Sequence, residues 1–296
     1  MQFTEQTMRP PQEAHSLLLR ATQGCTYNDC HFCYVSRGYP FMAVTPQDLE
    51  NEARAQASFF PPDTPIYLTG ANPFSLPADT LKAYLAALRR ACPHFSEVSM
   101  QSRIDDISHK TLQQLLELRQ LGLAHLYIGT ENGNDAALKR MNKGNTAAQA
   151  VEQLHRLDEA GIAYTTFYVL GLGGKGMGKA CGQDTAKLFN QVHPRRVTST
   201  GMTIFPGTPV ARMVEEGLYV QASEREKIEE LLIFLEHLTV DTLYDGIHYL
   251  NPLNYRLAIN NAEEKRKVLE DIQDILRSYS DADLELMVNR RQMLSL

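Results

Sequence analysis

The repeated alternation of short apolar segments with longer amphipathic ones is the feature that most constrains the fold of this chain. After each short segment, apolar residues recur at helical spacing, as Leu112, Leu115 and Leu118 do. The short segments predict six strands, which are Ser16–Arg20, Pro65–Leu68, Glu97–Met100, His125–Ile128, Tyr164–Leu170 and Arg196–Thr203. Consecutive strand–helix units give parallel strands, because right-handed crossovers carry each helix over the sheet. We predict an α/β fold with a partial (β/α)6 TIM-like barrel, and an open doubly wound sheet is the alternative.

Local signals mark several helix boundaries. Thr45 followed by Pro46 predicts an N-cap and a first helical residue. Ser108 predicts the N-cap of a helix that runs to Leu121, where Gly122 ends it. In parallel α/β folds functional groups gather in the loops that follow the strand C-termini, so candidate site residues are expected there.

The alternation stops after about Pro209. Ser223–Leu238 and Asn261–Ser278 predict helices, and the stretch between them, Tyr244–Asn260, predicts irregular structure. We therefore expect three parts, which are an N-terminal segment over residues 1–15, a core over residues 16–209 and a helical C-terminal extension over residues 210–296.

Composition limits the class of protein. The 296 residues are 43% hydrophobic and 22% charged, which is typical of an ordinary globular protein. The net charge of −6 and the lack of a Lys/Arg-rich block disfavour a nucleic-acid partner. No apolar run approaches the roughly 20 residues of a membrane helix, and the N-terminus has neither a signal-peptide nor a transit-peptide pattern. We expect a cytoplasmic protein with no membrane association.

Three of the five cysteines, Cys25, Cys30 and Cys33, lie close together directly after the first predicted strand. Such clustering favours metal binding over a disulfide framework, which spreads its cysteines along a chain. Three thiolates can ligate three irons of a [4Fe–4S] cubane and leave the fourth iron open to an exogenous ligand. The alternative is a structural zinc site completed by His31 or a distant cysteine, although the chain lacks the second ligand pair that zinc sites usually have.

The pattern Cys-x4-Cys-x2-Cys, with the aromatic Phe32 before the last cysteine, resembles the radical S-adenosylmethionine superfamily, in particular a subfamily with this longer first spacing. The resemblance covers residues 16–209 and, more faintly, the rest. It implies that a [4Fe–4S] cluster on Cys25, Cys30 and Cys33 binds S-adenosyl-L-methionine, with Phe32 among the cofactor contacts. Reductive cleavage would give a 5′-deoxyadenosyl radical that abstracts hydrogen from a small organic substrate. The resemblance also implies oxygen sensitivity and a reductant such as flavodoxin or ferredoxin.

Further motifs at strand ends supply candidate cofactor contacts. Thr69, Gly70 and Asn72 follow the second strand, where the family has a Gly-Gly-Glu motif. This chain lacks the acid, and Asn72 offers a carbonyl acceptor to the methionine ammonium group. The resemblance implies that Glu131, at the end of the fourth strand, accepts hydrogen bonds from the ribose. It also implies that Lys143 pairs with the methionine carboxylate. The plainer interpretation is a glycine turn and a solvated loop.

The resemblance extends the contact set to the other strand ends. Ser102 and Arg103 end the third strand, where the family places polar ligands for the ribose or the carboxylate, and a surface salt bridge is the other interpretation of Arg103. Leu170 and Gly171 end the fifth strand and Met202 the sixth, and there the resemblance implies apolar and backbone contacts with adenine.

Two cysteines and one C-terminal segment lie outside these motifs. Cys92, at a predicted helix end, and Cys181, in the predicted loop after the fifth strand, are expected to be buried and inert. The polar and aromatic segment Tyr244–Arg256 either shapes a substrate site or joins two surface helices. Two other functions stay open, a non-catalytic metal-binding protein and a conventional methyltransferase that holds a cluster.

Overall fold

The computed structural model describes residues 5, 9–290 and 293. The strands of this part of the chain are β1 (Leu17–Arg20), β2 (Thr22–Gln23), β3 (Met42–Ala43), β4 (Ile66–Thr69), β5 (Val98–Arg103), β6 (Leu123–Glu131), β7 (Ala163–Leu170), β8 (Arg196–Gly201), β9 (Leu243–Asp245) and β10 (Arg256–Ala258). The helices are α1 (Pro46–Ala57), α2 (Ala78–Ala91), α3 (Ile104–Ser108), α4 (Leu112–Gln120), α5 (Asp135–Arg140), α6 (Ala147–Ala160), α7 (Gly178–Phe189), α8 (Pro209–Glu215), α9 (Glu224–His237), α10 (Ala262–Ser278) and α11 (Asp281–Leu286). Two short 3-10 helices span Pro11–Glu13 and Pro73–Ser75.

Eight of these strands form one mainly parallel sheet. Their order across the sheet is β1-β4-β5-β6-β7-β8-β9-β10. Parallel pairing joins β1 to β4, β4 to β5, β7 to β8 and β8 to β9, whereas β10 runs antiparallel to β9. β2 and β3 form a separate antiparallel ribbon. Within this sheet the strands from β1 to β9 follow their order in the chain, with helices between successive members, so the fold is an α/β fold of the partial TIM-like barrel type, as the sequence predicted.

The six predicted strands are all present, as β1, β4, β5, β6, β7 and β8. All four residues of β4 are buried, which is the pattern of a strand covered on both faces. The predicted helix start at Thr45 is also confirmed, since its Oγ1 accepts a hydrogen bond from Asp48 N at 3.1 Å and Pro46 is the first helical residue. Apolar runs and cap residues therefore located the elements of the core.

The predicted N-cap at Ser108 was wrong. Ser108 is the last residue of α3, and α4 begins after Thr111, which is its N-cap. Thr111 Oγ1 accepts from Gln114 N at 3.2 Å, while Gln114 Oε1 accepts from Thr111 N at 2.9 Å. This reciprocal capping box satisfies two helix-end donors at once, which a serine without a Glu or Gln three positions on does not do.

The stretch Tyr244–Asn260 is not irregular throughout, because β9 and β10 extend the sheet within or beside it. Both strands have only three residues, too few to show a periodic pattern in the sequence. The predicted position of Cys181 was wrong as well. It lies inside α7, not in the loop after the fifth strand, although it is buried as expected.

The chain divides into two compact units. The first comprises Met1–Asn28, Val35–Ile128 and Arg156–Tyr164, and the second comprises Asp29–Tyr34, Gly129–His155 and Thr165–Leu296. Each has its own set of fully buried side chains. They include Leu19, Leu68, Tyr84 and Leu88 in the first unit and Leu170, Phe189, Phe234 and Tyr244 in the second. Among the residues described, none of the helices has both the length and the apolarity to cross a membrane.

Candidate functional site

The three clustered cysteines lie in the loop after β2, and we use the name cysteine loop for residues 24–36. Cys30 is buried, Cys25 and Cys33 are half-buried, and no cysteine of the described chain forms a disulfide. Three thiols in one short loop are the donor chemistry that an iron–sulfur cluster requires. Within the described residues, no three His, Cys, Asp or Glu side chains are arranged to hold a metal ion. Cys25 belongs to the first unit, and Cys30 and Cys33 belong to the second.

A carboxylate from outside the sequence motif holds the boundaries of the loop in the first unit. Glu5 is buried, and its Oε2 accepts from Gly24 N at 2.8 Å while its Oε1 accepts from Ser36 Oγ at 2.7 Å. Gly24 precedes Cys25 and Ser36 follows Cys33, so one side chain joins both flanks of the motif. Gly24 has a φ of +71°, and a Cβ there would lie 2.7 Å from the carbonyl oxygen of Pro40. Only glycine fits this position.

Asn72 is fully buried and holds the residue that follows Cys25. Its Oδ1 accepts from Thr26 N at 3.2 Å, and its Nδ2 donates to Thr26 Oγ1 at 2.8 Å. Nδ2 also faces the carboxylate of Asp106, at 3.2 Å from Oδ2 and 3.4 Å from Oδ1. The amide predicted to accept from a methionine ammonium group is therefore engaged with the cysteine loop on one side and with an acid on the other.

Asp106 is an acid in contact with Asn72 that the sequence motifs did not indicate. It is buried in the first turn of α3, where Oδ2 accepts from Arg103 N at 2.8 Å. Burial raises the pKa of this carboxyl above its usual value, while the hydrogen bonds from Arg103 N and Asn72 act in the opposite direction. The only sequence signal was an acidic residue three positions after a strand-ending residue, which is common at helix starts.

The other predicted contacts of the first unit are buried at strand ends. Thr69 ends β4, and Ser102 and Arg103 end β5, as predicted. Ser102 Oγ donates to the carbonyl oxygen of Arg103 at 2.8 Å, so it is occupied locally. The Arg103 guanidinium pairs with Asp105 through Nε at 2.9 Å, and it lies 4.0 Å from the centre of the Tyr27 ring in the cysteine loop. Arg103 is 6% exposed, so it is not the surface residue of the plainer interpretation.

In the second unit, main-chain hydrogen bonds hold the other part of the cysteine loop. His31 N donates to the carbonyl oxygen of Met141 at 2.9 Å, and Val210 N donates to that of His31 at 3.1 Å. Phe32 packs against an apolar cluster whose buried members are Met141, Val169, Leu172, Met202, Val210 and Tyr219. Phe32, which was predicted as a cofactor contact, therefore also packs the part of the chain between Cys30 and Cys33 against this cluster.

Glu131, which is half-buried, and Lys143, which is buried, form an ion pair in the second unit. Their Oε1 and Nζ atoms are 3.3 Å apart, and the side chains are 13% and 3% exposed. Glu131 has a φ of +67°, an unusual backbone conformation for a residue with a side chain. A Cβ at Gly129 would collide with Glu131 Oε1 and lie 3.2 Å from Lys143 Nζ. The absence of a side chain at Gly129 therefore provides the space in which the pair lies.

Leu170, Gly171 and Met202 come together at the ends of β7 and β8. Met202 N donates to the carbonyl oxygen of Leu170 at 2.8 Å. Gly171 N donates to Glu230 at 2.9 Å, and the Gly171 carbonyl oxygen accepts from Tyr219 Oη at 3.0 Å. These main-chain groups are already used within the chain, so apolar contact is the part of the adenine prediction that this geometry supports best.

A network of charged side chains near the segment after β8 was not predicted from the sequence. Lys227 Nζ donates to Glu224 Oε1 at 2.6 Å, and Arg290 donates to both oxygens of Glu224 and to Thr203 Oγ1 at 2.6 Å. Although burial raises the pKa of the Glu224 carboxyl, Arg290 and Lys227 together lower it below its usual value. Desolvation lowers the pKa of Lys227 to about 8. Arg290 thus connects the C-terminal region to the segment after β8.

A sequence model of the radical SAM superfamily matches residues 19–176, which is more than half of the chain. The chain belongs to the radical SAM superfamily, a superfamily of enzymes that use a [4Fe–4S] cluster and S-adenosylmethionine. The matched residues include the cysteine loop, Asn72, Asp106 and the Glu131–Lys143 pair. The family predicted from the cysteine pattern is therefore confirmed.

Curated relatives include tRNA-2-methylthio-N(6)-dimethylallyladenosine synthases. The protein from Citrifermentans bemidjiense is 29% identical over 128 residues, which are 43% of this chain and 28% of that protein. A second, from Chlorobium luteolum, is 26% identical over 170 residues, 54% of this chain and 36% of the relative. The matches thus span about a third of the relatives' length.

Solved structures of radical SAM enzymes share the fold. The cobalamin-dependent enzyme OxsB, with aqua-cobalamin and S-adenosylmethionine bound, aligns with a TM-score of 0.59 at 15% identity over 88% of this chain and 46% of that one. Coproporphyrinogen III oxidase from Escherichia coli aligns with a TM-score of 0.54 at 17% identity over 76% of this chain and 52% of that one. At these identities the likeness establishes the fold alone.

Proposed function

We propose that this chain reductively cleaves S-adenosylmethionine at a [4Fe–4S] cluster held by Cys25, Cys30 and Cys33, and that the 5′-deoxyadenosyl radical abstracts hydrogen from a small organic substrate. The observation that carries the proposal is the three-thiol loop after the first sheet strand of a chain that belongs to this superfamily. When bound, the cluster supplies the electron for cleavage, taken from a reductant such as flavodoxin or ferredoxin. The protein's own part is to position the cofactor and exclude water and oxygen.

In the second unit, the Glu131–Lys143 pair is proposed to bind two polar groups of the cofactor, the ribose hydroxyls and the methionine carboxylate. The carboxylate of Glu131 is suited to accept from ribose hydroxyls, and the ammonium group of Lys143 to pair with the methionine carboxylate. Removing one member of a buried ion pair leaves an uncompensated charge. Because the pair is preformed at 3.3 Å, both charges stay compensated before the cofactor arrives.

The remaining predicted contacts keep their roles within the proposal. Thr69 and Gly70 are proposed to lie against the methionine part, and Ser102 and Arg103 to serve the ribose or the methionine carboxylate. The apolar side chains Phe32, Leu170 and Met202 are proposed to face adenine. The core over residues 16–209 is proposed to carry this chemistry, and the C-terminal extension over residues 210–296 to shape the substrate site. A cytoplasmic location fits reduced cysteines, since thiols persist in reducing compartments.

The curated relatives favour tRNA as a second candidate substrate, because their names describe synthases that modify a tRNA adenosine. A small molecule remains our first candidate, since the net charge is −6 and the matches cover only about a third of those proteins. The two are distinguished by incubating the reconstituted enzyme, a reductant and S-adenosylmethionine with either a small-metabolite fraction or total tRNA and measuring 5′-deoxyadenosine. The fraction that raises 5′-deoxyadenosine formation above the rate without added substrate contains the substrate class.

Anaerobic reconstitution tests the reaction itself. The full chain is loaded with iron and sulfide, reduced with dithionite and incubated with S-adenosylmethionine, and the nucleoside products are identified by mass spectrometry. We expect 5′-deoxyadenosine from the wild type and none from a variant with Cys25→Ala, Cys30→Ala and Cys33→Ala. Cys92→Ala is the matched control, because Cys92 is a half-buried thiol at the C-cap of α2. It should keep both the iron and the product.

Two results would contradict the proposal. Uptake of zinc without iron, together with unchanged behaviour of the triple variant, would indicate a non-catalytic metal-binding protein. S-adenosylhomocysteine as the sole product would indicate a conventional methyltransferase that holds a cluster.

A further inference from the structure

The amide of Asn72 has two ends of similar shape, an oxygen that accepts hydrogen bonds and an NH2 group that donates them. Both ends have partners in the structure. Oδ1 accepts from Thr26 N at 3.2 Å, while Nδ2 donates to Thr26 Oγ1 at 2.8 Å and faces Asp106 Oδ2 at 3.2 Å. A primary amide has two N–H donors, so Thr26 and Asp106 together use both of them. Asn72 is fully buried, so neither end of this amide faces solvent.

Asp106 decides which end of that amide faces which partner. An ionised carboxylate only accepts hydrogen bonds, so the amide must turn Nδ2 toward it. Oδ1 is then directed to Thr26 N. The hydroxyl of Thr26 can donate or accept, and it therefore does not select an orientation by itself. Asp106 in turn is held in place by Arg103 N, which donates to Oδ2 at 2.8 Å at the start of α3.

We propose that Asn72 and Asp106 act as a pair of positioning residues that fix the main chain at Thr26, next to Cys25, and that Asn72 does not bind the cofactor directly. This inference deepens the proposed function, on which it rests for the meaning of Cys25. In this chain the acid expected after β4 is absent, and Asp106, which follows β5, is present instead. Asp106 acts on the cysteine loop through the amide of Asn72. Both residues and Thr26 belong to the first unit.

The reciprocal exchange of the two side chains gives the sharpest test. Asn72→Asp alone places two carboxylates about as close as the present 3.2 Å contact, and like charges at this distance repel. Asp106→Asn alone lets the amide at residue 72 turn over, so Thr26 N loses its acceptor. In the double variant N72D/D106N, the carboxylate introduced at position 72 accepts from Thr26 N and from the amide introduced at position 106, whose oxygen still accepts from Arg103 N. All the hydrogen bonds are then restored.

Hydrogen–deuterium exchange of the cysteine loop reads out the pair without any cluster or cofactor. In the purified full chain we expect the peptide that contains Thr26 to exchange roughly five- to tenfold faster in Asp106→Asn, as expected for one lost hydrogen bond. Asn72→Asp should exchange faster still, and the double variant should return to within about twofold of the wild type. Asp105→Asn is the matched control, because Asp105 pairs with Arg103 and not with Asn72.

Binding of S-adenosylmethionine to the reconstituted enzymes completes the test. We expect the double variant to bind with wild-type affinity and to show the wild-type electron paramagnetic resonance spectrum of the reduced cluster. If Asn72 were itself a ligand of the ammonium group, Asn72→Asp would bind the cofactor more tightly and the second change would not matter. That result, or unchanged exchange in both single variants, would overturn the inference. Restored exchange in a protein that takes up no iron would leave the pair intact and refute the proposed function instead.

Discussion

The two parts of the cysteine loop are held by different chemistry. In the first unit, polar side chains from distant positions support it, with Glu5 on Gly24 and Asn72 on Thr26. In the second unit, main-chain hydrogen bonds at His31 and the packing of Phe32 support it. The first support depends on charge and on which atoms donate. The second depends on backbone geometry and side-chain volume, so the two should respond to different perturbations.

The largest expected effect is at the start of the loop. Gly24→Ala introduces a Cβ 2.7 Å from the carbonyl oxygen of Pro40 at a φ of +71°, so both strain and steric overlap oppose it. We expect a loss of about 3–5 kcal/mol in the free energy of unfolding, measured with urea on the protein without cluster. Gly38→Ala is the matched control, because Gly38 has a φ of +81° with no heavy atom within 4 Å of its Cβ position. Equal losses in both variants would show that the contact with Pro40 does not matter.

Phe32→Ala tests the apolar support. Deleting the ring removes its packing against the cluster around Met141 and Met202. Since Phe32 is only partly buried, we expect about 2–3 kcal/mol of destabilisation, below the usual cost for a fully buried phenylalanine. The loss should be the same at pH 5 and pH 8. Phe59→Ala, at a side chain that is 82% exposed, should cost little, and a pH-dependent effect of Phe32→Ala would contradict the contrast between the two supports.

Glu5→Gln tests the polar support with little change of shape. The amide oxygen can still accept from Gly24 N, but the NH2 group replaces the oxygen that accepts from Ser36 Oγ, so the Ser36 hydroxyl must turn and accept instead. Both hydrogen bonds then lose the charge of the carboxylate, which makes them weaker. We expect about 1–2 kcal/mol of destabilisation and faster hydrogen exchange at Gly24. Glu229→Gln, at an exposed position, is the control. If the two variants have the same unfolding curve, Glu5 does not hold the loop.

The smallest expected effect is a pH dependence of the free energy of unfolding that comes from Asp106, which belongs to the polar support of the first unit. Burial raises the pKa of Asp106 above 3.8, so between that value and the raised one the folded protein binds a proton that the unfolded chain does not. The free energy of unfolding that Asp106 contributes therefore falls as the pH rises through this window, by at most about 1.4 kcal/mol per pH unit.

Urea titrations of the wild type and Asp106→Asn across that window measure this contribution. The stability difference, wild type minus variant, should decrease with rising pH. A stability difference that stays constant or increases with pH would show that burial does not raise the pKa of the Asp106 carboxyl.

The cysteine loop and the fold could be predicted because their signals are local. Six apolar segments separated by helical periodicity predict parallel strands, and three closely spaced cysteines predict a metal-binding donor set. The position of Glu131 at a strand end was also predictable, since the apolar run stops there. Ser108 was a misreading of a local signal, because Thr111 is followed by Gln114 three positions on, which is the capping-box pattern, and Ser108 has no Glu or Gln at the corresponding position.

By itself, the sequence determined the superfamily, the alternation of strands and helices and the position of the three thiols, because each of these follows from residue types at short, regular separations. Only the tertiary structure decided what holds the thiols' loop. Glu5 lies 19 residues from Gly24, and Asp106 lies 34 residues from Asn72, so their contacts arise from packing of distant segments. The contact between Asp106 and Asn72 was therefore not recognisable from the sequence. A buried carboxylate finds its partners through the fold, and its neighbours in sequence do not reveal them.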